Sequence, residues 1–308
     1  MTAAVQTHEL TKRYKSDFRV RTITALDSVS LAVERGEVFG CIGHNGAGKT
    51  TLIKILTGLI AASGGRATIM GRAVGDAAAR RDVGFLPERP YFYEYLTARE
   101  ALRFYGELSG MKAAEIVGHS RALFEMLDLT DAAGRLLKSY SKGMLQRFGM
   151  AQALVHDPHL VILDEPMSGL DPIGRGQIKA IIQRLKDEGK TIFFSTHILS
   201  DVEQLCDRVA LLAHGKLWYA GTVDDLTARY EQGVEIFVAP THLKTIREGF
   251  GRFQPHADAP ALFVPKGEDA QAVLKALVGR GIEVQRMTPR RKSLEEIFLA
   301  EFRKEEAR

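Results

Sequence analysis

The stretch Gly43-His44-Asn45-Gly46-Ala47-Gly48-Lys49-Thr50-Thr51 constrains what this chain can fold into more than any other. It fits the phosphate-cradling pattern G-x-x-x-x-G-K-[ST], which carries meaning only between a strand and a helix. Both flanks meet that condition: Val38-Phe39-Gly40-Cys41-Ile42 has the apolar run of a buried strand, and Leu52-Ile53-Lys54-Ile55-Leu56 opens a helix. The spacing predicts an α/β fold with the glycines at a strand-to-helix turn. At such a turn successive N–H groups and the positive end of a helix dipole aim at one point, which suits a phosphate. Lys49 adds an ammonium for β- and γ-phosphates, and the Thr50 hydroxyl is placed to take a coordination position on Mg²⁺.

A cradle alone hydrolyses nothing; an acidic pair must hold the metal and polarise a water. Leu160-Val161-Ile162-Leu163-Asp164-Glu165 supplies one. Four consecutive aliphatics suit a central parallel strand covered on both faces, whose carboxyl end delivers side chains to the ligand crevice. Asp164 then holds the metal and Glu165 is the general base. On its own an Asp-Glu pair at a strand end reads as solvated punctuation; the upstream cradle is what promotes it.

Three further segments follow in order: Ser141-Lys142-Gly143-Met144-Leu145-Gln146-Arg147, the Ser168-Gly169-Leu170-Asp171 turn, and Ser195-Thr196-His197 behind the apolar Thr191-Ile192-Phe193-Phe194. With the cradle and the acidic strand they resemble the nucleotide-binding subunit of ATP-binding-cassette (ABC) transporters over roughly residues 5–223. The resemblance implies a P-loop NTPase of ABC type, with a central mostly parallel sheet, an antiparallel β part and a helical lobe. It implies an ATPase whose cofactors are ATP and Mg²⁺. Residues 43–51, that is Gly43, His44, Asn45, Gly46, Ala47, Gly48, Lys49, Thr50 and Thr51, hold the triphosphate. Tyr14 stacks on adenine, a use suited to a flat π face, although a tyrosine near an N-terminal strand is as often packing. Glu88, in Gly84-Phe85-Leu86-Pro87-Glu88, falls where the family has a glutamine touching the metal or the attacking water. Thr50, Asp164 and Glu88 form the metal set; Glu165, His197 and Lys49 carry catalysis, with His197 reaching the γ-phosphate. Ser141 and Gly143 match a signature loop that completes the opposite subunit's site, and Asp171 belongs to a turn crossing that interface. The implied partners are a second copy of the chain and integral membrane subunits; no nucleic acid is expected.

The signature departs from the usual Leu-Ser-Gly-Gly-Gln at Tyr140, Lys142 and Met144. Ser141 and Gly143 keep the hydroxyl and the close backbone approach. Lys142 either brings a positive charge near the opposite nucleotide or points into solvent. Glu88 keeps an oxygen ligand where glutamine is usual and adds negative charge beside the metal. A working ATPase is expected, since Lys49, Asp164, Glu165 and His197 are all present.

At 308 residues the chain exceeds one comfortable core, so a large and a small domain are expected, 1–225 and 226–308. No apolar run approaches the ~20 residues of a membrane helix, and Met1-Thr2-Ala3-Ala4-Val5-Gln6 lacks the features of a signal peptide. A cytoplasmic chain is therefore expected, and the resemblance implies that it sits at the cytoplasmic face of the membrane, held through membrane subunits. Cys41 reads as a small buried hydrophobe, and neither it nor Cys206 has metal-site spacing. The net charge of +4 does not by itself argue for nucleic acid. The basic run Arg290-Arg291-Lys292 is a solvated face or, less simply, a membrane-surface contact.

Helical spacing in Glu100–Tyr105 and Arg121–Leu127 predicts a helical lobe over about residues 90–155. Pro90-Tyr91-Phe92-Tyr93-Glu94-Tyr95-Leu96 is either core of that lobe or a groove for a short helix of a membrane subunit. Beyond Thr227 strands are expected at Val234–Val238, Ala261–Val264 and Ile282–Val284, with helices at His242–Phe250, Ala270–Val278 and Leu294–Phe302. That order gives a small α+β, ferredoxin-like C-terminal domain. Its tail from Pro289 to Phe302 resembles the appendix of ABC-2-type exporter ATPases, with a regulatory or dimer-bracing role. The cradle, Leu86-Pro87-Glu88 and Tyr140–Met144 also resemble the ATPase of copper-site maturation systems for nitrous oxide reductase. An exporter ATPase driven by ATP-dependent dimer closure is the leading expectation. The alternatives are a soluble ABC ATPase acting on a macromolecule and a weakly hydrolysing regulatory subunit. Against the first of these, no long insertion separates Thr51 from Ser141 and no second cassette is present.

Overall fold

The computed structural model describes residues 3–16, 19–242, 253–255 and 260–298. The chain forms two compact units, one running to Thr222 and the other from Val223.

The first unit is built on two sheets. Strands β1 (Val5–Ser16), β2 (Arg19–Val29), β3 (Ala32–Val33), β5 (Gly64–Ile69) and β6 (Arg72–Ala73) make an antiparallel sheet. A second sheet has the order β11-β10-β4-β9-β8-β7. In it β4 (Val38–Ile42), β7 (Val83–Leu86), β8 (Leu160–Asp164), β9 (Thr191–Thr196) and β10 (Arg208–Ala213) run parallel, while β11 (Lys216–Thr222) pairs antiparallel with β10. Every residue of β4, β8 and β9 is buried, the signature of strands covered on both faces. Phe39 and Phe193 stack between β4 and β9 with ring centroids 5.8 Å apart.

The register of this sheet positions the site. Ile42 pairs with Thr196, Ser195 pairs with both Cys41 and Asp164, and Leu86 pairs with Leu163. Four parallel strands therefore end level, and the loops opening at Gly43, Glu165, His197 and Pro87 leave the sheet side by side.

Helix α1 (Lys49–Leu56) follows the glycine loop, and the short α2 (Ala77–Arg81) precedes β7. The lobe between β7 and β8 holds α3 (Ala98–Leu108), α4 (Ala113–Met126) and α5 (Lys142–Leu154). Thr97 and Glu100 cap α3 reciprocally, each side chain bonding the other's backbone N–H. Phe92 is buried edge-on against Phe148 of α5 at 4.9 Å, while Tyr91 and Tyr95 are 88% and 71% exposed. The aromatic segment before α3 thus divides between core and surface. Helix α6 (Pro172–Asp187) starts on an Asp171 cap whose Oδ1 accepts from Gly174 N at 2.7 Å, and α7 (Leu199–Leu205) follows β9. Among the described residues no helix is long and apolar enough to cross a membrane.

The second unit opens with α8 (Val223–Arg229) and contains β12 (Glu231–Val238), β13 (Phe253–Pro255), β14 (Pro260–Pro265), α9 (Ala270–Gly279) and β15 (Val284–Arg291). Its sheet order β13-β14-β12-β15, antiparallel throughout, is that of a ferredoxin-like unit. The helix expected at His242–Phe250 lies outside the described residues beyond His242, as does the end of the Leu294–Phe302 helix beyond Phe298. The last strand departs from the expectation: Ile282 is a core residue outside any strand, and β15 begins at Val284 and runs through Arg291. Pro289 is tolerated there because β15 is an edge strand with β12 as its partner in the sheet. The basic run is accordingly a strand end, with Arg290 facing Glu235 at 3.5 Å and Arg291 facing Asp224 at 3.6 Å.

Candidate functional site

The glycine loop is shaped by close approach as much as by sequence. A Cβ on Gly43 would stand 2.5 Å from Leu212 O, and one on Gly48 would stand 2.6 Å from Ala25 O at a φ of +108°. Neither position accepts a side chain without moving backbone. The turn between β10 and β11 braces the loop: Gly215 N donates to Ala47 O at 3.0 Å, and Asp27 N donates to Gly215 O at 2.8 Å.

Lys49 is only 6% exposed. Its Nζ donates to Gly43 O at 2.6 Å and lies 3.3 Å from Glu165 Oε1. The other carboxylate oxygen of Glu165 lies 2.9 Å from His197 Nδ1. Glu165 itself sits at φ 49°, a left-handed conformation that costs a non-glycine residue about 1 kcal/mol or more and clusters at functional sites. The strain turns its side chain out of the alternation of β8 and into the cleft.

Asp164 is almost fully buried. Ser195 Oγ donates to its Oδ1 at 2.6 Å and accepts from Glu165 N at 2.9 Å, so one hydroxyl clamps both acidic residues from the neighbouring strand. Thr50 Oγ1 makes a longer contact of 3.5 Å with the same oxygen. Burial holds the Asp164 carboxyl above its ordinary range; hydrogen bonds from Ser195 and Thr50 oppose this, and the charges of Glu165 and Glu88 add to it. A carboxylate whose charged form is disfavoured gains from a nearby cation. Its hard oxygen donors, Thr50, Asp164 and Glu88, fit Mg²⁺ rather than a soft metal. No group of three or more His, Cys, Asp or Glu among the described residues could hold a metal by itself. Nearby, burial pushes the Cys41 thiol up to about 12, which keeps it protonated as a small core residue.

These groups surround a cavity of about 550 Å³ lined by the glycine loop, Thr51, Glu88, Glu165, Ser168 and His197. The expected residues His44, Asn45, Gly46, Ala47, Gly48, Lys49, Thr50, Glu88 and His197 are thus brought together. Tyr14 is not in the lining; it is 40% exposed on β1 with the Lys12 ammonium 5.2 Å over its ring. Ser141 and Gly143 also lie outside it, at the start of α5, where Ser141 caps the helix by accepting from Met144 N. Lys142 does not extend into solvent alone: its ammonium end fills the space beside Gly169. Ser195, Ser168 and Ala25 had no assigned role in the sequence. Neither had Gln146, whose buried amide donates to Pro166 O at 2.8 Å and ties α5 to the loop after Glu165. Ser195 carried a usable signal, standing two residues before His197 on a strand next to Asp164; Ala25 carried none.

A cleft with an ammonium and N–H cradle on one wall and a strained carboxylate facing it is that of an ATP-binding cassette. The sequence comparisons agree: residues 26–168 match the ABC transporter family model. An ABC transporter ATP-binding protein of Synechocystis is 43% identical over 97% of this chain and 84% of its own length. The bacitracin transport ATP-binding protein BcrA of Bacillus licheniformis is 33% identical over 97% of each chain. A solved dimer of an ATP-binding cassette, in a post-hydrolysis state bound to ADP and Pi, superposes with a TM-score of 0.65 at 25% identity, covering 71% of this chain and 98% of the other. The chain belongs to the ABC transporter ATP-binding proteins: it is the ATPase subunit of a transporter.

Proposed function

We propose that two copies of this chain close over two molecules of Mg-ATP and thereby drive an ABC-2-type exporter. The observation that carries the proposal is the division of the site between two places on one chain. Lys49, Glu88, Glu165 and His197 line the cavity, whereas Ser141 and Gly143 stand outside the lining, Ser141 capping α5 and Gly143 in its first turn. A helix N-terminus bearing a hydroxyl is an anion-binding element. Its use here is to cover the triphosphate held by the opposite copy.

In the closed pair, Lys49 and the loop N–H groups take the phosphates, and Thr50, Asp164 and Glu88 are the metal donors. Mg²⁺ when bound supplies charge neutralisation across the β- and γ-phosphates. Glu165 accepts a proton from the attacking water as the bond to the γ-phosphorus forms and the bond to the leaving ADP oxygen breaks. His197 orients Glu165 through the 2.9 Å contact and contacts the transferred phosphoryl group. Products are ADP and phosphate.

The exporter assignment is supported by the full-length similarity to a bacitracin transport ATP-binding protein. The exposed Tyr91 and Tyr95, beginning three residues after Glu88, are suited to anchor a helix of the membrane subunit beside the nucleotide site. This attachment places the chain at the cytoplasmic membrane face. The test is size-exclusion chromatography of Glu165→Gln with Mg-ATP, alone and with the copurifying membrane subunit. A dimer is expected; a variant that stays monomeric in both settings at saturating Mg-ATP overturns the proposal.

A further inference from the structure

A further acidic residue, outside the lining of the nucleotide cavity, ties together two segments that frame it. Asp201 on α7 is fully buried. Arg175 Nη2 donates to both of its carboxylate oxygens at 2.8 Å, and Lys179 Nζ lies 2.8 Å from Oδ1. Arg175 and Lys179 stand one turn apart on α6 and so present both cations from one face. Helix α6 begins directly after the Ser168–Asp171 turn, and α7 begins two residues past His197. One carboxylate therefore locks the helix behind the crossing turn onto the helix behind the histidine.

Stability alone does not call for this arrangement. Asp201 is fully buried while Arg175 and Lys179 are 29% and 22% exposed, and a buried ion pair is weak evidence for stability, which leaves the fixing of one geometry as the role to test. The segment it anchors also meets α5, where Gln146 donates to Pro166 O and the end of the exposed Lys142 side chain lies beside Gly169. Residues 165–171 are thus held between the signature helix and the α6–α7 pair, and His197 emerges at the junction.

We infer that Asp201 is a positioning residue for hydrolysis: through Arg175 and Lys179 it sets His197 against Glu165 when the crossing turn moves. The inference rests on the roles proposed for those two residues. Misplacing a reacting group by about 1 Å can cost on the order of a hundredfold in rate without changing ground-state binding. Asp201→Asn keeps shape and removes the charge. Its kcat for ATP is expected to fall at least about tenfold with KM within about twofold, the signature of an interaction that matters beyond ground-state binding. The double variant Asp201→Asn/Glu165→Gln is expected to dimerise on Mg-ATP like Glu165→Gln alone. Arg175→Met should reproduce the loss, and Arg175→Lys, which keeps the charge but not the fork, should fall between it and the parent.

Two results overturn the inference: Asp201→Asn turnover equal to the parent, or turnover and nucleotide-driven dimerisation lost together, which assigns Asp201 to structure alone. Should Asp201→Asn not fold, Arg175→Met and Lys179→Met are read by the same criteria. Glu165→Gln and His197→Ala in the same assay separate the two proposals. If both controls hydrolyse ATP normally, the assignment of the site fails; if both are inactive and Asp201→Asn is not, only the positioning role fails.

Discussion

Lys49 Nζ lies 3.3 Å from Glu165 Oε1 with both side chains nearly buried, so the ammonium proposed to hold phosphate and the proposed base form one ion pair. Removing Glu165 leaves the Lys49 ammonium nearly buried with carbonyl oxygens alone, and removing Lys49 takes one of two contacts from the Glu165 carboxylate. Such a loss costs more than the pair contributes.

Lys49→Met removes the ammonium and leaves Glu165 with its contact to His197 alone. The loss of a charge-assisted hydrogen bond to phosphate, about 1.5–3 kcal/mol, corresponds to roughly ten- to a hundredfold weaker ATP binding by titration calorimetry. Lys49→Arg should not restore it, because a planar guanidinium cannot reproduce the point-charge geometry that sets Nζ 2.6 Å from Gly43 O and 3.3 Å from Glu165 Oε1. Unchanged affinity in Lys49→Met would contradict the cradle.

Asp164 gives a pH signature. Its native carboxyl is held above the 3.8 of an unperturbed aspartate, so between that value and the raised one the folded state binds more protons than the unfolded chain. Stability contributed at this position therefore falls as pH rises through the window, and near neutral pH the buried charge is a standing cost. Asp164→Asn is expected to unfold at higher urea concentration than the parent near neutral pH, in nucleotide-free protein. The advantage should shrink as pH is lowered through the window, while hydrolysis is lost. A variant less stable than the parent at every pH refutes this.

Gly48 and Gly46 both have positive φ yet differ in surroundings. A Cβ at Gly48 meets Ala25 O at 2.6 Å, whereas one at Gly46 meets nothing within 4 Å. Gly46→Ala should cost only the conformational term, roughly 1–2 kcal/mol. Gly48→Ala should cost distinctly more and distort the cradle. Thermal unfolding and ATP binding measured on both variants check the ranking, which fails if the two lose equally.

Tyr14 stands outside the cavity lining. If its exposed ring meets adenine, Tyr14→Ala should weaken ATP binding by about 1–3 kcal/mol, as base stacking on an aromatic does, while Tyr14→Phe retains it. Equal affinity for all three proteins would leave the tyrosine to its contact with Lys12.

What was legible in the chain was what is locally encoded. The strand, loop and helix from Val38 to Leu56 and the strand ending at Asp164 are continuous apolar runs punctuated by glycine or acid. Helices α3 and α4 follow from apolar spacing. The long ribbon β1–β2 was not legible, since its polar, half-exposed residues slip register between Leu10 and Arg13 and hide any alternation. Strand β15 is expected at Ile282–Val284 but runs from Val284 to Arg291, because an arginine-rich stretch with Pro289 does not read as a strand and an edge position is what permits it. The Asp201 cluster joins residues of two helices, each of which reads as a solvated charge in isolation. Only the fold brings them together.

The hairpin turn at Gly215 holds the glycine loop from outside through Ala47 O. A receptor whose shape is fixed before its guest arrives spends little of the encounter's free energy on ordering itself. On the proposed two-copy cycle, exchange of spent for fresh nucleotide would call for no remaking of the loop, and the tempo would pass to the opening and shutting of the cleft.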